Sequence, residues 1–368
     1  MAITVARSGN HGLGTIDNTA GSLITILDKL LVNGWSAAPS SITRSGSVAT
    51  VTTTLPHGFS VGENATISGC TQTEYNGTFV VASVPSTTTF TYAVTGTPSS
   101  PATGSPLLAH DSIGWTKPYS GTNLAAYWMK AGTTRHYLYV DDTGTTSARG
   151  WGYEKMSDIS TGTGRFPLDD QVSGGMFLSK SSSSTGRDWI FVSDGKLFHF
   201  VINYAGGSGA SSTNRGFAFG EFISYFPADN FKTVLMGDHL TASSIPYPNY
   251  VNQSAISGAT TGHYFPRKAD GSGTSRAGGK VGDTGASSGA LPSLGMGTYG
   301  ISESFLISNV RLHDGDGKAF RGVMPGLYYP LNETQYSDEE IITSGGKTFI
   351  VKKLNQGKIL LEVSDTWR

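Results

Sequence analysis

The segment Asp188-Trp-Ile-Phe-Val-Ser-Asp-Gly-Lys-Leu-Phe-His-Phe-Val-Ile202 places two short apolar runs on either side of a turn sequence. Aromatic and β-branched residues dominate both runs, which is typical of strands. The Asp194-Gly195 pair between them favours a type I′ turn, because both central residues of that turn need positive φ angles. We therefore predict an antiparallel hairpin with strands at 188–192 and 196–202.

Comparable runs extend in both directions from this hairpin. Four strand candidates lie in the body of the chain, at Ala125–Met129, His136–Val140, Phe217–Phe226 and Ser304–Leu312. Near the C-terminal end, 347–354 and 358–363 are predicted to pair across Asn355-Gln-Gly357. Long Gly- and Ser-rich loops at 205–216 and 270–289 are typical of functional or mobile segments. The sequence predicts a mainly β, β-sandwich-rich chain of several parts.

One N-terminal segment has the pattern of an amphipathic helix. Residues 18–22 offer N-cap side chains, and Asn33-Gly34 supplies the residue types that end helices. Between them the apolar residues recur at three- and four-residue spacing, at Leu23, Ile24, Leu27, Leu30 and Leu31. Either this stripe packs on a sheet of the same chain, or it docks on another subunit.

Residues 39–106 differ in composition from their surroundings. They are rich in Thr, Ser and Val and contain almost no Lys or Arg. Short β-type runs alternate with turns, at 48–53, 65–68, 79–84 and 88–94. Strands of this length and spacing are typical of a small antiparallel sandwich or barrel. The Pro- and Ser-rich segment 98–106 is predicted to be a linker.

Composition excludes several classes of protein. The chain has 368 residues, 14% charged residues and a net charge of −1, whereas about 25% charge is usual. This balance argues against a nucleic-acid binder, and no apolar run is long enough to cross a bilayer. The single Cys70 excludes an internal disulfide framework, and a small buried residue is the favoured interpretation. Residues 1–7 lack a secretory signal pattern, so we expect the protein to be made and kept in the cytosol, unless it leaves by lysis or as part of a particle.

Motifs that could support chemistry are incomplete. Gly295-Met-Gly-Thr-Tyr-Gly300 matches a dinucleotide-binding pattern but lacks the strand before it and the helix after it. Asp314 and Asp316 resemble the start of a calcium loop without its later ligands, so a turn is favoured and a partial calcium site is left open.

The remaining candidate groups do not form a recognisable catalytic set. Asp141-Asp142 and Asp169-Asp170 are predicted to lie at turns, where Asp is common. The eight His residues lack zinc-site spacing, and no Ser lies in a nucleophile elbow. We predict no catalytic, cofactor-binding or metal-binding residues, no cofactor, and no enzymatic activity.

Aromatic residues crowd one stretch of the chain. They are Trp115, Tyr119, Tyr127, Trp128, Tyr137, Tyr139, Trp151 and Tyr153. They could form core and domain interface, or they could form a stacking platform for sugars or an interface rich in aromatic anchors. The sequence leaves these alternatives open.

Two resemblances connect the chain with tailed phages. The turns and strands between Val48 and Tyr92, including His57-Gly, Ile67-Ser-Gly, Tyr75-Asn-Gly and Thr89-Phe-Thr-Tyr92, resemble a small Ig-like β module that recurs in phage structural proteins. The flanking sequence resembles a group of phage virion proteins encoded among head and tail genes. Its matching segments are 19–34, 114–123, 137–142, 217–226, 321–330 and 365–368.

These resemblances imply a domain organisation. We expect 39–106 to be an inserted Ig-like module, 1–38 together with 107–330 to be the main β-rich domain, and 331–368 to be a C-terminal β unit. Such insertions are tolerated where the two ends of the inserted piece lie close together at the surface.

The expected function is that of a non-enzymatic virion component in the tail, baseplate or head decoration. Its expected partners are further copies of itself and neighbouring virion proteins, with neither nucleic acid nor a membrane span. The alternative is a receptor- or glycan-binding virion protein that uses the Ig-like module or the aromatic cluster. A polysaccharide-degrading enzyme using Asp141 or Asp169 is a third hypothesis, which no motif supports.

Overall fold

The computed structural model describes residues 3–129, 135–181, 184–203, 214–237, 263–272, 276–277, 307–314, 319–330, 336–354, 357–364 and 366–368. Within these residues the chain is mainly β, with several antiparallel sheets and one short helix, which confirms the predicted fold class. Among the described residues, no helix is both long and apolar enough to cross a membrane.

The predicted helix is present, and it changes from α-helical to π-helical geometry along its length. Helix α1 (Ser22–Leu27) follows strand β1 (Thr4–Arg7) and continues as a π-helical turn at Asp28–Asn33, after which Gly34 has a φ of 71°. The apolar stripe is buried within this chain, at Leu23, Leu27, Leu30 and Leu31. The stripe is therefore not free to dock on another subunit.

Two compact units divide the described chain. One contains residues 6–15 and 26–114, and the other contains residues 1–5, 16–25 and 115–368. The smaller unit includes more of the chain than the predicted module, since residues 6–15 and 26–38 also belong to it. The assignment of 39–106 as an insertion stays a prediction.

The smaller unit contains the π-helical turn Asp28–Asn33, seven strands and one 3₁₀ turn at Thr73–Tyr75. The strands are β2 (Trp35–Ala37), β3 (Ser41–Ser45), β4 (Val48–Thr52), β5 (Asn64–Cys70), β6 (Gly77–Ser86), β7 (Thr89–Ala93) and β8 (Gly104–His110), hydrogen-bonded in the order β2-β8-β5-β6-β7-β4-β3. The register of β6 shifts twice against β7, so β6 pairs with β5 through its first half and with β7 through its second. The core cluster draws on both halves of this sheet, and Cys70 is buried in it as predicted. Strand β2 pairs with residues 108–110 of β8, which lie just after the Thr-rich segment. Strand β8 begins at Gly104, so residues 104–106 of the predicted linker 98–106 are strand instead.

The larger unit contains two sheets. The six-stranded sheet comprises β9 (Thr116–Gly121), β10 (Leu124–Trp128), β11 (Tyr137–Asp141), β12 (Ser147–Met156), β13 (Gly162–Phe166) and β14 (Met176–Ser179), in the order β13-β12-β11-β10-β9 with β14 also on β12. Its inner side is buried against aromatic residues of the second sheet. Trp115 meets Phe198 and Phe219 at ring-centroid distances of 5.5 and 6.0 Å.

The second sheet has thirteen strands among the described residues. They are β1 and β15 (Trp189–Ser193), β16 (Leu197–Asn203), β17 (Asn214–Glu221), β18 (Ile223–Ser224), β19 (Thr233–Met236), β20 (His263–Phe265), β21 (Arg276–Ala277), β22 (Ile307–Asp314), β23 (Ala319–Pro330), β24 (Ile341–Ser344), β25 (Lys347–Leu354) and β26 (Gly357–Glu362). Strands β15, β16 and β17 are buried almost throughout, because packed layers cover both of their faces. The strands predicted at 125–129 and 136–140 lie in the six-stranded sheet as β10 and β11. The strand predicted at 217–226 is divided between β17 and β18, and the one predicted at 304–312 corresponds to β22, with residues 304–306 outside the described residues.

The predicted hairpin is confirmed, but the predicted type I′ turn is wrong. The closing pair of β15 and β16 is Ser193↔Phe198, which leaves four residues in the loop where a type I′ turn would leave two. Asp194 Oδ1 accepts hydrogen bonds from the amides of Lys196 and Leu197, at 2.9 and 2.8 Å. These bonds stabilise the wider loop, since a short Asp side chain satisfies amides two and three residues ahead.

The predicted C-terminal hairpin is also present. Strands β25 and β26 pair antiparallel along their length. Strand β26 pairs in turn with β23, so the hairpin continues the thirteen-stranded sheet. Ile350, Ile359 and Leu361 are part of the main hydrophobic core of the larger unit.

The prediction that Asp141 and Asp142 both serve a turn is correct for Asp141 and wrong for Asp142. Asp141 accepts hydrogen bonds from Thr143 at the predicted turn. Asp142 is fully buried, and its Oδ2 accepts hydrogen bonds from the amides of Leu23 and Ile24, at 2.8 and 3.1 Å. The first turn of α1 thus takes its cap from a residue more than a hundred positions away. A carboxylate is favourable there because helix N-terminal amides lack partners and carry partial positive charge.

Lys180 completes this buried cluster. Its Nζ donates to Asp142 Oδ1 at 2.6 Å and to the carbonyl oxygens of Thr19 and Gly144, at 2.9 and 2.8 Å. Both side chains of the ion pair are inaccessible to solvent. Burial raises the pKa of Asp142, and the Lys180 ammonium and the helix amides oppose that rise. Every proton of the ammonium has an acceptor, as a buried charge requires.

A second buried ion pair lies in the thirteen-stranded sheet. Arg321 donates to both carboxylate oxygens of Asp229, at 2.9 Å each, and to the carbonyl oxygens of Arg267 and Phe231. Both side chains are fully buried. The planar guanidinium satisfies several acceptors at once, which makes arginine suited to such a position.

Replacing Asp142 by Ala is expected to lower the free energy of unfolding by about 3–5 kcal/mol, because it leaves the Lys180 ammonium buried without its counter-ion. Urea denaturation followed by tryptophan fluorescence measures the effect. Asp141→Ala is the matched control, and its turn contacts predict a loss of about 1 kcal/mol or less. Equal losses for the two variants would contradict the assigned role of Asp142.

Acidification is expected to destabilise the protein through its buried histidines. Burial lowers the pKa of His110 to about 3 and the pKa values of His136 and His199 to about 4. In the unfolded chain each of these histidines takes up a proton near pH 6.5. The full free energy of unfolding is therefore present above that pH, and it decreases as the pH falls towards the pKa of the histidine in the folded chain. Between pH 7 and pH 5, each of these histidines is expected to lower the free energy of unfolding by about 2 kcal/mol.

Denaturant midpoints at pH 7 and pH 5 measure this loss. His110 lies between the rings of Trp35 and Phe59, at centroid distances of 4.6 and 3.8 Å. His110→Phe keeps a ring in the stack and is expected to remove the share of the pH dependence that His110 contributes. Unchanged stability of the native chain over this pH range would contradict the prediction.

Candidate binding face

The two sides of the six-stranded sheet have different compositions. Ala125, Tyr127, Leu138 and Val140 alternate along β10 and β11 and are buried. Ala126 is also buried, whereas the other intervening residues of the two strands are only partly buried. This follows from the period of two in a strand, which sends successive side chains to opposite sides.

Six of the eight predicted aromatic residues lie on the partly exposed side. This set is called the aromatic face here and comprises Tyr119, Trp128, Tyr137, Tyr139, Trp151 and Tyr153. The other two, Trp115 and Tyr127, are buried. Two of the eight rings are therefore core residues, and the other six lie on the partly exposed side of the sheet.

Strand register brings the rings of the aromatic face together. Tyr137 is opposite Trp128 on one side and Tyr153 on the other, and Tyr139 is opposite Trp151. The Trp128 and Tyr137 rings are nearly parallel, 9° apart with centroids separated by 5.8 Å. The Tyr139 and Trp151 centroids are 5.5 Å apart. Cross-strand aromatic pairs of this kind stabilise a sheet and form a continuous apolar surface.

Charged side chains lie among the rings. The guanidinium carbon of Arg135 is 5.0 Å from the centroid of Trp128, and that of Arg149 is 3.4 Å from the centroid of Phe177. Arg165, opposite Tyr153, forms an ion pair of 2.6 Å with the exposed Asp169. Guanidinium groups stack well on aromatic rings and keep donors free at their edges.

Tyrosine hydroxyls add neutral polar groups to this face. Burial raises the pKa of Tyr137, to which neighbouring Tyr119 also contributes, while Arg135 opposes the rise. Burial likewise raises the pKa of Tyr139, with smaller contributions from Asp141 and Tyr153. Both phenols therefore stay protonated near neutral pH. The face combines apolar rings, hydroxyl groups and guanidinium groups.

Gly175 holds the Trp151 ring in position. Its φ is +81°, and a Cβ at this position would lie 2.3 Å from Cε2 of Trp151. The backbone therefore lies directly against the indole, which only glycine permits. Its carbonyl oxygen also accepts a hydrogen bond from Arg149, at 3.2 Å.

The other candidate residues lie at turns or outside the described residues. Asp169 and Asp170 lie at a turn, as predicted. Gly295–Gly300 and Asp316 lie outside the described residues, as does the side chain of Asp314. Among the residues that the structure describes, there is no group of three His, Cys, Asp or Glu side chains suited to hold a metal ion. Sequence analysis identified the aromatic residues but could not tell which of them share a face, because that depends on strand register.

No protein-family model matches the chain, and no curated protein matches it. Among solved structures, phage phi92 endosialidase is similar over 85% of this chain and 74% of its own length, with 14% sequence identity and a TM-score of 0.19. A TM-score this low does not establish a shared fold.

Gly175→Ala is expected to displace the Trp151 ring and to lower the free energy of unfolding by about 1–3 kcal/mol more than Gly174→Ala does. Gly174 is a matched control because it also has a positive φ, of +72°, but a Cβ there would meet open space. Tryptophan emission and urea denaturation measure both effects. Equal losses for the two variants would show that the ring contact is unimportant.

Proposed function

We propose that this chain is a non-enzymatic structural component of a tailed-phage particle, made in the host cytoplasm and incorporated by contacts with copies of itself and with neighbouring virion proteins. The resemblance of its sequence to phage virion proteins and to a phage Ig-like module supports this proposal. So does the low charge of a mainly β chain, because open sheets without charged residues need a partner to cover them.

The observation that carries the proposal is the outward side of β5, β6 and β8. It is called the module face here and is defined by Thr66, Thr78, Val80, Leu107 and Ala109, which register places side by side. Val80 and Leu107 are 59% and 43% exposed. Exposed apolar patches mark interaction surfaces more often than isolated apolar residues do.

The surroundings of the module face are also uncharged. Residues 39–106 contain three charged residues, Arg44, Glu63 and Glu74. Of the eight large apolar side chains that the described residues expose, five lie between residues 48 and 107. An uncharged sheet surface with exposed Val and Leu is suited to burial in a permanent interface, and symmetric association is the usual way to achieve this.

Sedimentation velocity of the full-length chain over a concentration series tests this proposal. The native chain is expected to associate, and the double variant Val80→Lys/Leu107→Lys is expected to be monomeric, because a charge at the centre of an interface is unfavourable. Ile341→Lys is the matched control, since Ile341 is 65% exposed but lies in β24, outside the module face.

Two results would contradict the proposal. The first is a native chain that stays monomeric and is absent from purified particles by mass spectrometry. The second is association that Ile341→Lys weakens as much as the double variant does, which would show that any added lysine is disruptive.

The aromatic face supports a second candidate function, glycan binding by the virion protein. Aromatic rings offer flat apolar surfaces to sugar rings, and the tyrosine hydroxyls and arginines offer hydrogen bonds. The described rings of the Ig-like module are less suited to this role. Phe59, Tyr75, Phe90 and Tyr92 are buried in its core, and Phe79 packs on Tyr92 with centroids 4.2 Å apart.

A further inference from the structure

We propose that the aromatic face binds an acidic polysaccharide, with arginine side chains recognising the carboxylate groups of its sugars. This inference rests on the glycan-binding role given above as the second candidate. It adds the chemical class of the ligand, which the distribution of charge on the aromatic face indicates.

The aromatic face carries more positive than negative charge. Among the residues that the structure describes, four basic side chains border the rings, at Arg135, Arg149, Lys155 and Arg165, against two acidic ones, at Asp141 and Asp169. The excess of two positive charges contrasts with the net charge of −1 of the whole chain. A local field of this sign attracts anionic ligands and repels cationic ones.

The basic groups are placed for direct contact with a ligand on the rings. Arg135 is exposed and lies over Trp128. Lys155 is exposed two residues beyond Tyr153 on the same side of β12. A guanidinium group over a ring can donate two parallel hydrogen bonds to a carboxylate while the ring contacts the apolar side of the sugar.

The same charges are too few for a nucleic acid. Single-stranded nucleic acids are held by a continuous positive groove that follows the phosphates, in addition to stacked rings. Here Asp169 neutralises Arg165, and Asp141 lies opposite Arg149 in the β11–β12 pairing. Sparse positive charge among rings and hydroxyl groups matches a polymer with fewer charges per unit length, such as a polysaccharide with one carboxylate in each repeat.

Isothermal titration calorimetry with the full-length chain tests the proposal. The probes are hyaluronate oligosaccharides, which are carboxylated, dextran oligosaccharides, which are neutral, and oligothymidylate. We expect hyaluronate to bind, dextran to bind at least about tenfold more weakly, and oligothymidylate to bind more weakly than hyaluronate. Raising the ionic strength is expected to weaken hyaluronate binding, since surface charge interactions are screened by salt.

Two pairs of variants assign the binding to this face. Arg135→Gln is expected to weaken hyaluronate binding about five- to tenfold, the effect of losing one charge-assisted contact. Lys268→Gln, which removes an exposed positive charge elsewhere, is its control. Tyr137→Ser is expected to weaken binding of every glycan that binds, and Tyr225→Ser is its control, since Tyr225 is 54% exposed outside the aromatic face.

The outcomes separate this inference from the glycan-binding role. Equal binding of hyaluronate and dextran, sensitive to Tyr137→Ser but not to Arg135→Gln, would overturn the acidic ligand and keep the glycan role. Absence of binding to either glycan would overturn both. Tighter binding of oligothymidylate than of hyaluronate would assign the face to nucleic acid and overturn the proposal.

Discussion

The buried ion pair of Asp142 and Lys180 connects parts of the larger unit that are far apart in sequence. Asp142 follows β11, Lys180 follows β14, and the amides that Asp142 caps begin α1. The six-stranded sheet is thus joined at one point to the N-terminal segment. Two charges without solvent contact tolerate few other arrangements, because each is costly to bury without the other. The position of β11, which carries Tyr137 and Tyr139, therefore depends on this contact.

Sequence patterns predicted most of the local structure and little of its long-range assembly. The strands at 188–202 and 347–363 and the helix from Ser22 followed from alternation, apolar spacing and turn residues. The wider loop at Asp194 was missed, because the pattern does not show that an Asp side chain will satisfy two amides. The role of Asp142 was also missed, since its partners lie 118 and 119 residues earlier and 38 residues later.

At the candidate site, the sequence likewise indicated the aromatic residues but not how they are arranged. Eight rings crowd one stretch of sequence, and the period of a strand separates Tyr127 from Trp128. Which rings then become neighbours is decided by pairing between strands, and that register cannot be read from one strand alone. Tyr137 meets Trp128 and Tyr153 only because β11 lies between β10 and β12.

The two surfaces differ in the chemistry that they offer to partners. The module face is uncharged and presents Val80 and Leu107, whereas the aromatic face presents rings, hydroxyl groups and guanidinium groups. This difference is the reason that we propose assembly for the first and ligand binding for the second. Cryo-electron microscopy of purified particles, with this chain located in the map, tests that division most directly. We expect a neighbouring subunit over Val80 and Leu107 and solvent over Tyr137. A neighbouring subunit that seals the aromatic face, with the module face left open, would contradict it.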